Sequence, residues 1–294
     1  MYINSNSMAT QVSNNLTSHY SDLKTSTERL SSGLRINSAA DDAAGLAIRE
    51  LMRTDIAALQ QGVRNANDAI SLIQTADGAL GIIDEKLTRM KELAEQAATG
   101  TYDSTQRLMI ESEYQAMASE ITRIANATDF NGIHLLNGNL SSDTHNGSAM
   151  SSTGKLKVHF GTANDSAEDY YYIKIGTSTA SALGVGNQAV GTDGLTVSTQ
   201  EAAQKALVAI TNAVVSKDKI RAHLGALQNR LENTISNLTT QSENLQAAES
   251  RISDVDVATE MTKFVRNQIL TQSSVAMLSQ ANSMPRMAMT LISG

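Results

Sequence analysis

The feature that most constrains this chain is a seven-residue apolar repeat that no proline interrupts. Met52, Leu59, Ala66, Ile73, Leu80, Leu87 and Ala94 form one row, and Ile56, Val63 and Ile70 run beside it as a second. Asp77 falls in the second row, which then resumes one step early at Ile83, Met90 and Ala97. Such a repeat marks a helix seam whose stripe drifts around the axis. It predicts one helix within about 41–99, whose roughly 55 helical residues would span about 80 Å. The single proline, Pro285, lies near the far end, so nothing forces a break earlier. Gly62, Gly78 and Gly81 each weaken a helix, so packing must hold this one together.

Gly100 offers a helix stop, and Asp103 with Gln106 has capping-box spacing, Asp standing in the Ser/Thr place. Ile110, Tyr114, Met117, Ile121, Ile124 and Thr128 then step by four and three, and the short connection demands an antiparallel return. The pattern changes near 130. Phe130-Asn131-Gly132 and Asn137-Gly138 are turn signals, and 141–154 is mostly Ser, Gly, Asn and Thr, an exposed loop expected to accept an insertion near Ser148. Leu156, Val158 and Phe160 alternate with polar residues, as do Tyr171, Ile173 and Ile175, which predicts strands. Helical spacing returns at about Gln200 with Leu224, Leu231, Leu238, Leu245 and Ile252 every seven residues.

Both ends carry apolar stripes. Leu16, Leu23 and Leu30 mark the first, and Met261, Val265 and Ile269 the second. An amphipathic end of this kind is not stable alone in water. The two are expected to pair with each other and with neighbouring copies, which makes these six residues the candidate subunit-assembly set. The expected fold class is mainly α: a long antiparallel helical rod or coiled coil with a small β-hairpin-containing insert.

Composition removes several functions. The formal charge is −7 and Lys and Arg form no run, so the phosphate-binding density that nucleic acid requires is missing. The absence of cysteine excludes disulfides, thiol catalysis and thiolate metal sites. No apolar run reaches the roughly 18 residues of a membrane span. Met1-Tyr2-Ile3-Asn4-Ser5 lacks the basic and apolar regions of a cleaved signal peptide. His19, His134, His145, His159 and His223 are scattered without metal-ligand spacing. Gly184-Val185-Gly186-Asn187-Gln188-Ala189 has a phosphate-loop spacing but no strand before it or periodic helix after it, so a plain loop is expected. Asp254 and Asp256 read as a helix start rather than a calcium loop. No catalytic residue, cofactor or metal is expected, and the chain is not read as an enzyme.

The most specific stretch is Leu30-Ser31-Ser32-Gly33-Leu34-Arg35-Ile36-Asn37-Ser38-Ala39-Ala40-Asp41-Asp42-Ala43-Ala44-Gly45. Physically it reads as a connection in which Gly33 turns the backbone and Asp41 or Asp42 caps the long helix. It also resembles the N-terminal signature of the bacterial flagellins. Arg64-Asn65-Ala66-Asn67-Asp68, Gln74-Thr75-Ala76-Asp77-Gly78-Ala79-Leu80 and Asp129-Phe130-Asn131-Gly132 resemble the same family. So do Arg251-Ile252-Ser253-Asp254-Val255-Asp256, Asn267-Gln268-Ile269-Leu270 and Ala276-Met277-Leu278-Ser279-Gln280-Ala281-Asn282. The likeness covers about 1–140 and 200–294. The chain ends Thr290-Leu291-Ile292-Ser293-Gly294 where the family often has a Leu-Leu pair, and its middle is short.

The resemblance implies a structural subunit that polymerises into the bacterial flagellar filament, extracellular and exported without a cleaved signal. Residues 1–44 and 253–294 would form the terminal coiled coil of the filament core. Residues 45–140 and 200–252 would form a helical rod, with 141–199 its variable β part. Implied partners are further copies of the chain, the export apparatus, a chaperone and a filament cap. The alternative is a hook–filament junction protein. A chemoreceptor-like hairpin would need a polar helical tip and membrane spans. Finally, Leu87-Thr88-Arg89-Met90-Lys91-Glu92-Leu93-Ala94-Glu95-Gln96 resembles the flagellin segment read by a host Toll-like receptor. There Arg89 and Leu93 would offer a charged fork beside an apolar knob, with Glu113 as a third contact; the same residues could equally serve lateral contacts between subunits.

Overall fold

The structure is a computed structural model that describes residues 6–147, 153–165, 168–186 and 196–293. The expected insertion point near Ser148, the first five residues and Asn187–Ala189 of the glycine-containing loop lie outside these. Among the described residues there are five long helices, α1 (Ser7–Ser32), α2 (Ala43–Ala98), α3 (Ser104–Ala127), α5 (Gln200–Ser253) and α6 (Val257–Ser293), with a single turn, α4 (Ala180–Leu183), between α3 and α5. Among the described residues no helix is long and apolar enough to cross a membrane. Two compact units result, one formed by the ends (Met1–Ile56 with Glu243–Gly294) and one by Ala57–Ser242. Helices α2 and α5 supply residues to both.

In the central unit the heptad row of α2 is the core. Leu59, Ala66, Ile73, Leu80, Leu87 and Ala94 are all buried, and so are Ile83, Met90 and Ala97 of the displaced second row. The buried face is wider than two rows, because Ala69, Leu72, Ala76 and Ala79 are covered as well. Ile70 is only half-buried. Helix α3 adds Ile110, Tyr114, Ile121 and Ile124, and α5 adds Ile210, Leu224, Leu231 and Leu238. Burial holds the Tyr114 hydroxyl up at a pKa of about 12. The turn between α2 and α3 closes as its spacing predicts. The Asp103 amide donates to Gln106 Oε1 at 3.1 Å, completing the capping box, and Arg107 reaches back to the Ala97 and Thr99 carbonyls at 3.2 and 3.0 Å.

Among the described residues the β structure comprises three two-stranded antiparallel ladders, one just after α3 and two in the insert. Strands β1 (Asp129–Phe130) and β2 (Ile133–His134) enclose Asn131 and Gly132, whose φ values of 52° and 79° are what a tight two-residue hairpin loop requires. Strands β3 (His145–Asn146) and β4 (Thr153–Gly154) pair, as do β5 (Leu156–His159) and β6 (Tyr170–Ile173), where Val158 faces Tyr171. The expected alternation holds: Val158, Phe160, Ile173 and Ile175 are buried. The insert is seated directly on α2. A Cβ on Gly62 would lie 2.0 Å from the Phe160 carbonyl oxygen, and Asn65 Nδ2 donates to the His159 carbonyl at 2.8 Å. Gly62 therefore weakens the helix in order to let a strand backbone approach it. Gly184, in the left-handed conformation, ends α4.

Candidate assembly interface

Helices α1 and α6 pack against each other antiparallel. Their buried and half-buried residues follow heptad spacing on both sides: Ala9, Val12, Leu16, His19, Leu23, Ser26 and Leu30 on α1, and Glu260, Phe264, Asn267, Thr271, Ser274, Leu278 and Ala281 on α6. Two hydrogen bonds set the register. Ser26 Oγ donates to Glu260 Oε1 at 2.7 Å, and Asn6 Nδ2 donates to the Ala281 carbonyl at 2.9 Å. The second bond has a cause in sequence. Pro285 has no amide hydrogen, so the carbonyl four residues earlier, that of Ala281, loses its helical donor. Asn6 supplies one, while its Oδ1 caps α1 by accepting from the Ala9 amide at 3.1 Å.

This seam is mixed in character. Leu16, Leu23 and Leu30 sit in it half-buried, as their spacing predicts. Facing residues on α6, however, include a carboxylate, an amide and two hydroxyls. Burial opposes ionisation of Glu260, but the Ser26 hydroxyl, the Lys263 ammonium and the Arg29 charge outweigh it and hold the pKa below the ordinary carboxylate value. Met261, Val265 and Ile269 do not face α1. They are 45%, 44% and 56% exposed, and Val257, Val275 and Met277 share that exposure. The stripe expected to pair with the other end and with neighbouring copies does not close on α1 within the single chain: α6 buries one face against α1 and leaves an apolar face open.

The connection 33–42 is fastened to the α5–α6 junction. Gly33, with φ 73°, ends α1, and its carbonyl accepts from the Val255 amide at 3.1 Å. The Arg35 amide donates to the Ser253 carbonyl at 2.6 Å, and the Arg35 guanidinium to that of Ile252 at 2.6 and 3.2 Å. The two aspartates divide the work. Asp42 caps α2, accepting from the Gly45 amide at 2.9 Å. Asp41 accepts from the amides of Ser38 and Asn37 at 2.9 and 3.2 Å, and those bonds, with the Ser38 hydroxyl, lower its pKa. Ile36 is buried against Gly45, where a Cβ would come within 2.7 Å of it, and Arg49 holds the Ile36 carbonyl at 2.9 Å. Asp256 caps α6 by accepting from the Ala258 amide at 3.0 Å, as a helix-start reading requires.

Arg89, Leu93 and Glu113 are placed differently from one another. Arg89 and Glu113 are half-exposed and bonded to each other at 2.8 and 3.0 Å across α2 and α3, with Glu92 also on Arg89 at 3.0 Å. Leu93 is 1% exposed, so it is a core residue and no surface knob. Position 93 falls between heptad rows, and periodicity alone did not reveal that the α2 core is three rows wide. The polar α6 seam was equally hidden, because Asn267, Thr271 and Ser274 carry the seven-residue spacing without the apolar character that makes a row visible. Among the described residues no three His, Asp or Glu side chains gather as a metal-ligand set.

The chain matches the bacterial flagellin N-terminal helical region over residues 3–141 and the bacterial flagellin C-terminal helical region over 207–292. It belongs to the bacterial flagellin family. It is 41% identical to the flagellar filament 33 kDa core protein of Treponema phagedenis, over 99% of this chain and 100% of that protein. It is 42% identical to the flagellin of Bacillus subtilis (strain 168), again over 99% and 100%. A putative flagellar hook-associated protein from Vibrio parahaemolyticus shares the fold, with a TM-score of 0.56 at 16% identity over 73% of this chain and 100% of that one. Within this flagellin the stretch Leu30–Gly45 includes the segment that fastens the α1 end to the α5–α6 junction.

Proposed function

We propose that this flagellin is the structural subunit of an extracellular bacterial flagellar filament, and that its α1–α6 pair supplies the filament core. The observation that carries the reading is the open apolar face of α6 at Val257, Met261, Val265 and Ile269. An apolar row that a paired helix leaves in water is the usual mark of a further packing partner. A polymer of identical chains provides one in every subunit. On this reading 1–44 and 253–294 form the inner coiled coil, 45–140 and 200–252 the rod, and 141–199 its variable outer part. Delivery uses the export apparatus and a chaperone, without a cleaved signal, and a filament cap receives the chain. A host Toll-like receptor is a further proposed partner. Its contact is the Arg89–Glu113 pair on the rod surface, with Leu93 acting only by holding α2 in place.

Seeded growth tests the proposal. Purified chain added to short filament fragments is expected to extend them into long helical filaments in electron micrographs. Addition that stops after a few subunits is the result expected of a hook–filament junction protein, and failure to add to seeds contradicts both readings.

A further inference from the structure

Lys217 occupies an apolar row. Ile210, Leu224, Leu231 and Leu238 of α5 lie at seven-residue steps and are buried, and Lys217 stands between the first two, 1% exposed. Its Nζ lies 2.5 Å from Asp84 Oδ1 on α2 and 2.9 Å from Asp218. One turn on, the Arg221 guanidinium meets Asp77 of α2 at 2.7 and 3.1 Å. Asp77 and Asp84 continue, at the same spacing, the α2 row begun by Ile56, Val63 and Ile70. The acids therefore stand where the second apolar row of α2 gives out, opposite a cation in the apolar row of α5.

A charge in a helix seam gives weak net stability, and its best attested use is to fix register. We propose that the Lys217–Asp84 and Arg221–Asp77 pairs together select the axial register of α2 against α5. Both apolar rows repeat every seven residues, so sliding one helix by seven re-forms an apolar seam. Sliding one way brings buried Lys217 level with Lys91, a like charge. Sliding the other way brings it level with Asp77, which it could pair with. Arg221 closes that second route, because it already holds Asp77 and would itself be carried level with Ile70. Two pairs are needed where one would leave an alternative open.

The native chain has no cysteine, so spin labels can be placed cleanly at Thr88→Cys on α2 and Asn237→Cys on α5, both exposed and both in the central unit. Pulsed electron paramagnetic resonance on the full chain should give one distance for the otherwise native protein. Arg221→Leu should add a second distance about 10 Å longer, the rise of seven helical residues. Arg221→Leu with Asp77→Ala should return to one distance, because the slipped register then offers Lys217 no partner. Arg221→Gln removes the charge while keeping a polar side chain at this half-exposed position, and must reproduce the second distance if the leucine variant does not fold. A single native distance in the folded Arg221→Leu or Arg221→Gln chain would overturn the proposal and assign the register to apolar packing alone.

Discussion

At the scale of single residues, neighbours in sequence play opposite parts. Arg89 and Leu93 are four apart, yet Arg89 is half-exposed in an ion pair and Leu93 lies in the core. Exposed pairs contribute about 0–1 kcal/mol, whereas truncating a buried leucine costs about 2–5 kcal/mol. Chemical denaturation should therefore show Arg89→Ala close to wild type and Leu93→Ala destabilised by that larger amount. In a receptor assay Arg89→Ala should lower activation at unchanged fold, and any loss in Leu93→Ala should track the loss of folded rod. Equal stability of the two variants would mean that Leu93 is not the core residue its burial indicates. Other residue-scale features were legible in advance. Asp103 and Gln106 cap α3 as their spacing predicts, and Asn131-Gly132 makes the turn its chemistry favours. The reason for Gly62 was not legible, since only the folded insert brings the Phe160 carbonyl against it.

At the scale of elements, the seven-residue rows on α2 and α5 gave the long helices, and alternation gave β5 and β6. These signals survive because each element's buried face is mostly apolar, with Lys217 the charged exception on α5. The α1–α6 seam defeated the same reasoning for a physical reason: four of the seven residues that α6 places in it are polar. Met261, Val265 and Ile269 are left outside it, while Glu260, Asn267, Thr271 and Ser274 face inward beside Phe264 and Leu278. Polar groups at seam positions weaken a coiled coil while specifying its partner. The isolated α1–α6 pair is therefore expected to open readily in the monomer, and mild proteolysis should trim both ends to leave a core near 57–242. Replacing the seam hydroxyls with Thr271→Leu and Ser274→Leu should slow that trimming. Unchanged cleavage kinetics in the double variant would show that the hydroxyls are not what loosens the pair.

At the scale of the whole molecule, the two ends of the sequence form one unit and the middle forms another. Heptad rows repeat along both, and the last helix of the end unit leaves Val257, Met261, Val265 and Ile269 exposed as an apolar face. The central claim is that this face joins one subunit to the next. Seeded filament growth by wild type and by the Val265→Asp, Ile269→Asp double variant tests it most directly, provided that circular dichroism shows equal helix content in both. Both positions are exposed in the single chain, so the charges should leave the α1–α6 pair and the rod folded. Wild type should extend seeds into long filaments, and the double variant should stay monomeric. Filaments of normal length and form from the folded double variant would contradict the account.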